Sequence, residues 1–176
     1  MKIAVIGYSG SGKSTLARKL HGTYQIPVLH LDRVHHMPGW QERELHREQQ
    51  IVQDFLEQNS AWVIDGNYSK LSYERRMEEA DQIIMLLFPP LTCFLRAFRR
   101  YLTFRNRTRP DMAEGCQEKF DWEFVKWILW EGRSKGAKAR YAAIAAKYPH
   151  KTVILKHQRQ LQAFTDSICV QKKQEA

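Results

Sequence analysis

The stretch KIAVIGYSGSGKSTLARKL, residues 2–20, leaves the chain few ways to fold. KIAVIG is a short, continuous apolar run rich in β-branched residues and closed by glycine, so it predicts a buried strand. KSTLARKL places Leu16 and Leu20 on one helical face, and Gly22 is expected to end that helix. Between them, residues 7–14, GYSGSGKS, match G-x-x-x-x-G-K-[ST] in full. Glycines let such a loop fold back until successive backbone N–H groups converge as an anion nest. The helix that follows aims its positive dipole end at the same point. The strand, loop and helix together predict a nucleoside triphosphate site. Ser9, Gly10, Ser11 and Gly12 would cradle the phosphates, and Lys13 would reach the β- and γ-phosphates. Ser14 would join a Mg²⁺ shell, and Thr15 would meet the α-phosphate.

The rest of the chain repeats the buried-strand signal. IPVLHLD, SAWVIDG, QIIMLLFPP and KTVILKH are further apolar runs without polar alternation. Helical patterns separate several of them, notably QERELHREQQIVQDFLEQ, SKLSYERRMEEA and the carboxyl-terminal QRQLQAFTDSIC. Five such strands predict an α/β fold, a parallel sheet with helices on both faces. The 176 residues suit a single domain, and a hydrophobic fraction of 43% is enough for its core and argues against disorder. QKKQEA at the end is expected to fray.

In an open parallel sheet, ligands bind beyond the carboxyl ends of the strands. Asp65 ends WVID, where an acid can hold Mg²⁺ directly or through water, or can serve as a cap or turn residue. Asn67 and Tyr68 follow at the floor of the same cleft, as acceptor contacts or as packing. Asp32 follows LHL: it would orient an acceptor hydroxyl and take its proton, or it would pair with Arg33 or a nearby arginine. Arg33, His36 and Trp40 are further candidates for an acceptor wall. His30, Asp32, His35 and His36 are crowded along a strand-to-loop join, a spacing that does not converge four metal ligands.

The segment from Leu91 to Tyr148 contains no clear strand. It carries six arginines in the fourteen residues Arg96–Arg109, then two helical patterns, and is a candidate basic lid inserted between the fourth and fifth strands. Arg96 and Arg100 share a helical face. With Arg133 they would close over a transferring phosphoryl group, where cations stabilise developing charge. The alternative is a solvated basic face. Phe120, Phe124 and Trp127 form an aromatic stripe suited to packing or to base stacking.

The 28 basic and 19 acidic residues give a charge of +9, which implies an anionic partner without choosing one. Three scattered cysteines predict a reduced, cytoplasmic protein with buried thiols. No apolar run approaches the roughly 18 residues of a membrane span, and the first apolar run is too short for a secretory signal.

The stretches IGYSGSGKSTLARKL, VLHLDRVHHMPGW, WVIDGNYSKL, RTRPDMAEGCQEKF and WEGR together cover most of the chain. In them it resembles the adenylate-kinase-related P-loop proteins named DNA topology modulation proteins, also called FlaR-like. The resemblance implies a nucleoside-kinase fold with strand order 2-3-1-4-5 and a helical lid. In adenylate kinases the third strand leads into Asp-Gly-Phe-Pro-Arg, whose arginine grips the acceptor's phosphate. Here DGNY keeps Asp65 and Gly66 without that arginine, which counts against a nucleoside monophosphate acceptor. Asp32 is placed more as in shikimate or gluconate kinases, which phosphorylate hydroxyls. The expected function is ATP- and Mg-dependent phosphoryl transfer to a small nucleoside, nucleotide or hydroxylated metabolite. The alternative is a nucleotide-dependent DNA-binding or regulatory protein acting through Arg105, Arg107 and Arg109.

Overall fold

The structure, a computed structural model, describes residues 1–174 apart from 106, 110 and 119. Five strands form one parallel sheet: β1 (Lys2–Gly7), β2 (Val28–His30), β5 (Trp62–Asp65), β6 (Gln82–Leu86) and β7 (Thr152–Leu155), in the order β2-β5-β1-β6-β7. Counting only these core strands along the chain, the order is 2-3-1-4-5. The helices on its two faces are α1 (Lys13–Tyr24), α3 (Leu45–Gln58), α4 (Tyr73–Glu79), α5 (Pro90–Phe104), α7 (Lys135–Lys147) and α8 (Gln158–Gln174). The central strands are covered on both sides. Ile3 to Ile6, Trp62 to Ile64 and Ile83 to Leu86 are all fully buried, which is why these runs carry no polar alternation.

Four local expectations give way. The helix after the phosphate loop runs through Gly22 and stops at Tyr24, where Gln25 takes the left-handed conformation (φ 56°) and its N–H bonds the His21 carbonyl. The second strand is shorter than IPVLHLD. Its last residue, His30, pairs with Asp65, the last residue of β5. Beyond that point Gly66 (φ 133°) turns away, and Leu31 packs where a Gly66 side chain would have stood. With no ladder left to join, Leu31–His35 coils into the short helix α2. Asp32 therefore projects from a helical turn rather than from a strand end.

The third difference is a small antiparallel hairpin, β3 (His36–Met37) with β4 (Gln41–Glu42), which takes the first residues expected of α3. Last, α8 continues to Gln174, so most of the tail expected to fray is helical; residues 175 and 176 lie outside the described residues. Between β6 and β7 the chain forms α5, α6 (Trp122–Leu129) and α7, with one isolated bridge between Thr108 and Gln117. Phe120 meets Phe94, Phe98, Tyr101 and Phe124, so that part of the aromatic stripe is packing between α5 and α6.

Helix α5 crosses directly over the phosphate loop. Gly10 has φ 75°, and a Cβ there would stand 2.5 Å from the carbonyl oxygen of Cys93. Both the left-handed backbone and the close approach require glycine. Gly10→Ala is expected to lower stability by about 1–3 kcal/mol, the range for a strained backbone position. Urea denaturation of the purified variant checks this; unchanged stability would mean that α5 does not sit against the loop.

Candidate active site

A cleft of about 720 Å³ opens at the carboxyl ends of the strands. Ser9, Gly10, Gly12, Lys13, Ser14 and Thr15 line one side of it. Ser11 is fully buried, with its hydroxyl unpartnered inside the protein, so only its backbone serves the loop. The Lys13 ammonium donates to the Tyr8 carbonyl at 3.1 Å. Burial pushes it down from its ordinary value, while Asp32 and Asp65 pull the other way. Lys13 thus lies between the phosphate loop and both predicted acids.

Asp65 is buried, and both of its oxygens are engaged. Oδ2 accepts from the Ser14 hydroxyl at 2.8 Å, and Oδ1 pairs with His30 Nδ1 in a short contact. A hydroxyl and a carboxylate oxygen side by side under Lys13 make a hard-oxygen pair suited to Mg²⁺. In the sequence His30 is one of a crowd of histidines, and its pairing across two strands has no sequence signal. Burial disfavours the charged His30 ring, yet the hydrogen bond and charge of Asp65 outweigh this and raise its pKa. His35 instead meets Glu48 at 2.8 Å, away from the Asp65 pair.

Asp32, His36, Trp40 and Tyr68 line the same cleft. Asp32 accepts from the Tyr68 hydroxyl at 2.9 Å. Burial, reinforced by the Asp32 charge, holds the Tyr68 phenol protonated far above its usual range, so it remains the donor. The other predicted acceptor residues sit elsewhere. Arg33 is exposed and is not among the lining residues, because α2 turns it outward. Asn67 serves the loop instead. Its side-chain oxygen accepts from the Gly7 N–H at 3.0 Å, and its amide donates to the Gly7 carbonyl at 2.6 Å. Behind it, the fully buried Arg76 donates to the carbonyls of Gly66, Tyr68 and Leu71, and burial pushes its pKa down to about 10.

The predicted arginines separate into different roles. Arg96 lines the cleft, stacks 4.5 Å over Phe88, and donates to the Ser11 carbonyl and the Gln158 side chain. Arg100 also lines it but is bound to Glu118 through Nε at 2.6 Å. Arg133 is not among the lining residues; its guanidinium lies 3.9 Å over the Tyr8 ring and its Nε donates to the Ile128 carbonyl. Arg109, named for DNA contact, is buried and ion-paired with Asp111 and Glu118, whereas Arg105 and Arg107 are exposed. Asp111, Met112 and Glu118 are cleft-lining residues that spacing did not single out, and Arg109 joins them there. Trp127 also borders the cleft, its indole N–H donating to the Ser9 hydroxyl at 3.1 Å.

The phosphate loop, the sheet order and Asp65 at the neighbouring strand end decide the architecture. The chain has a P-loop kinase fold. The solved structures it is similar to agree. A shikimate kinase from Acinetobacter baumannii in complex with shikimate superposes with a TM-score of 0.58 at 15% identity, over 95% of this chain and 89% of that one. A shikimate kinase from Bacteroides thetaiotaomicron gives 0.52 at 17% identity, over 100% and 99%. An uncharacterized protein from Eubacterium ventriosum gives 0.50 at 17%, over 98% and 99%. At these identities the likeness concerns the fold. No family model and no curated protein matches the chain. Among the described residues, no helix is long and apolar enough to cross a membrane.

The His30–Asp65 pair sets a pH dependence. A histidine whose folded pKa is raised contributes fully below its unfolded pKa of about 6.5, and loses the contribution as pH rises through the folded value. His30→Gln is expected to cost about 3 kcal/mol near pH 5.5, since it removes the charged partner of a buried acid. The deficit should shrink toward pH 9. Urea denaturation across that range tests it, and a deficit independent of pH would mean that His30 is neutral in the folded protein.

Proposed function

We propose that the chain is an ATP- and Mg²⁺-dependent kinase that phosphorylates a hydroxyl of a small molecule. The observation that carries this reading is that Lys13 and Asp32 face one cleft, with the phosphate loop on one side and the Asp32–Tyr68 pair on the other. The loop amides and Lys13 would hold the triphosphate. Ser14 and Asp65 would hold Mg²⁺, which when bound neutralises phosphate charge. Asp32 would orient the acceptor hydroxyl and take its proton as the acceptor oxygen bonds to the γ-phosphorus. The bond from that phosphorus to the bridging oxygen then breaks and ADP leaves. Lys13, with Arg96 released from Ser11 and Gln158, would stabilise the charge that develops. Arg100 and Arg133, both predicted to close over the phosphoryl group, are engaged with Glu118 and Tyr8 and would take no direct part.

Kinase neighbours support nucleotide and small-molecule binding at the level of the fold. The charge of +9 and the arginine-rich segment are the basis of the DNA alternative. That reading has less support, because Arg109 is buried among acids rather than presented to a duplex.

Lys13→Ala is expected to reduce ATP turnover by about 100-fold or more, the scale of losing one preorganised charge contact. Asp32→Asn should retain nucleotide binding while losing acceptor-stimulated ADP release. A coupled ADP assay over nucleosides, nucleotides and hydroxylated metabolites, with both variants, tests the pair. Full turnover by Lys13→Ala would overturn the proposal.

A further inference from the structure

The acceptor end of the cleft is built from Asp32 and Tyr68, the hairpin residues His36 and Trp40, and the loop that follows α5. That loop is fastened there: the Trp40 indole N–H donates to the Gln117 carbonyl at 3.0 Å, and the Cys116 thiol to the Met37 carbonyl. Two arginines, Arg100 and Arg109, line this end. Read from composition, they would suit a carboxylate or phosphate on the acceptor.

Their charges are already matched inside the protein. Arg100 meets Glu118 through Nε at 2.6 Å and through Nη2 at 2.5 Å. Arg109 meets the other Glu118 oxygen at 2.6 Å and Asp111 at 3.0 Å. Arg109, Asp111 and Glu118 are each at most 9% exposed. Asp32 adds a further acid, which faces Lys13 and accepts from the Tyr68 hydroxyl. Arg100 and Arg109 are thus each already held by a carboxylate inside the protein. An anionic acceptor would have to draw the arginines from buried partners. A hydroxylated acceptor without an anion meets no such penalty, and Asp32 and Tyr68 suit a hydroxyl.

We infer that the acceptor is a hydroxyl compound carrying no carboxylate or phosphate, and that the Arg100–Glu118–Arg109–Asp111 cluster enforces this choice. The inference rests on the kinase reading above. It extends the missing acceptor arginine after Gly66 from nucleoside monophosphates to anionic acceptors in general.

The test uses matched acceptor pairs with the full chain, ATP and Mg²⁺: glucose against gluconate, thymidine against thymidine monophosphate, and methyl shikimate against shikimate. Acceptor-stimulated ADP release is measured for each. The uncharged member of any pair that is used is expected to have a kcat/KM at least about tenfold higher. A preference for the anionic members overturns the inference and leaves the kinase reading standing. No stimulation by any compound overturns the kinase reading, and the inference falls with it. Glu118→Gln, confirmed as folded by its thermal transition, is expected to move the ratio about tenfold or more toward the anionic member. Asp111→Asn should move it in the same direction and serves if the first variant does not fold. An unmoved ratio in a folded variant would refute the role of the cluster.

Discussion

The structure depends on one carboxylate, Asp65. It ends β5, beside the strand that launches the phosphate loop, and in register with His30 at the end of β2. Its two oxygens reach Ser14 on one side and His30 on the other. A single buried acid thus ties the first turn of α1 to two strand ends. A buried carboxylate is costly unless its oxygens are partnered. Partnering it fixes the position of Ser14, and hence the direction in which the start of α1 faces the cleft. Asn67, two residues later, adds a paired hydrogen bond to the backbone of Gly7, so the loop is held at its start as well. Arg76 then satisfies the carbonyls of the turn that carries Asn67 and Tyr68. Rigid support of this kind lets backbone N–H groups stabilise phosphate charge without reorganising.

The sheet was legible in the sequence because strands buried on both faces must be apolar throughout, and the runs from Ile3, Trp62 and Ile83 announce this directly. The phosphate loop was legible because its backbone demands glycine at fixed spacing, as Gly10 beneath Cys93 illustrates. The placement of Asp32, Arg33 and Asn67 was less so. Whether a residue after a strand faces the cleft depends on where the ladder ends, and that is set by the partner strand. IPVLHLD lost its last two residues to α2 because β5 stops at Asp65, a fact carried by another part of the chain. His30 was hidden for the same reason, since its meaning lies in a residue thirty-five positions away.

The arginines between β6 and β7 make the limit of sequence reading most concrete. Six of them in fourteen residues read as a basic lid facing phosphate, with a solvated basic face as the alternative. In the fold, Arg105 and Arg107 are exposed, Arg96 rests on the phosphate loop, and Arg100 and Arg109 are neutralised by Glu118 and Asp111. Charge counts describe the field far from the molecule, where the excess of nine positive charges acts. Recognition inside a cleft depends on which of those charges are still unmatched once the chain has folded. Glu118 decides that for two arginines at once, because its two oxygens face different helical and loop neighbours. A side chain that spacing alone would pass over therefore sets how much of that positive charge this part of the cleft presents.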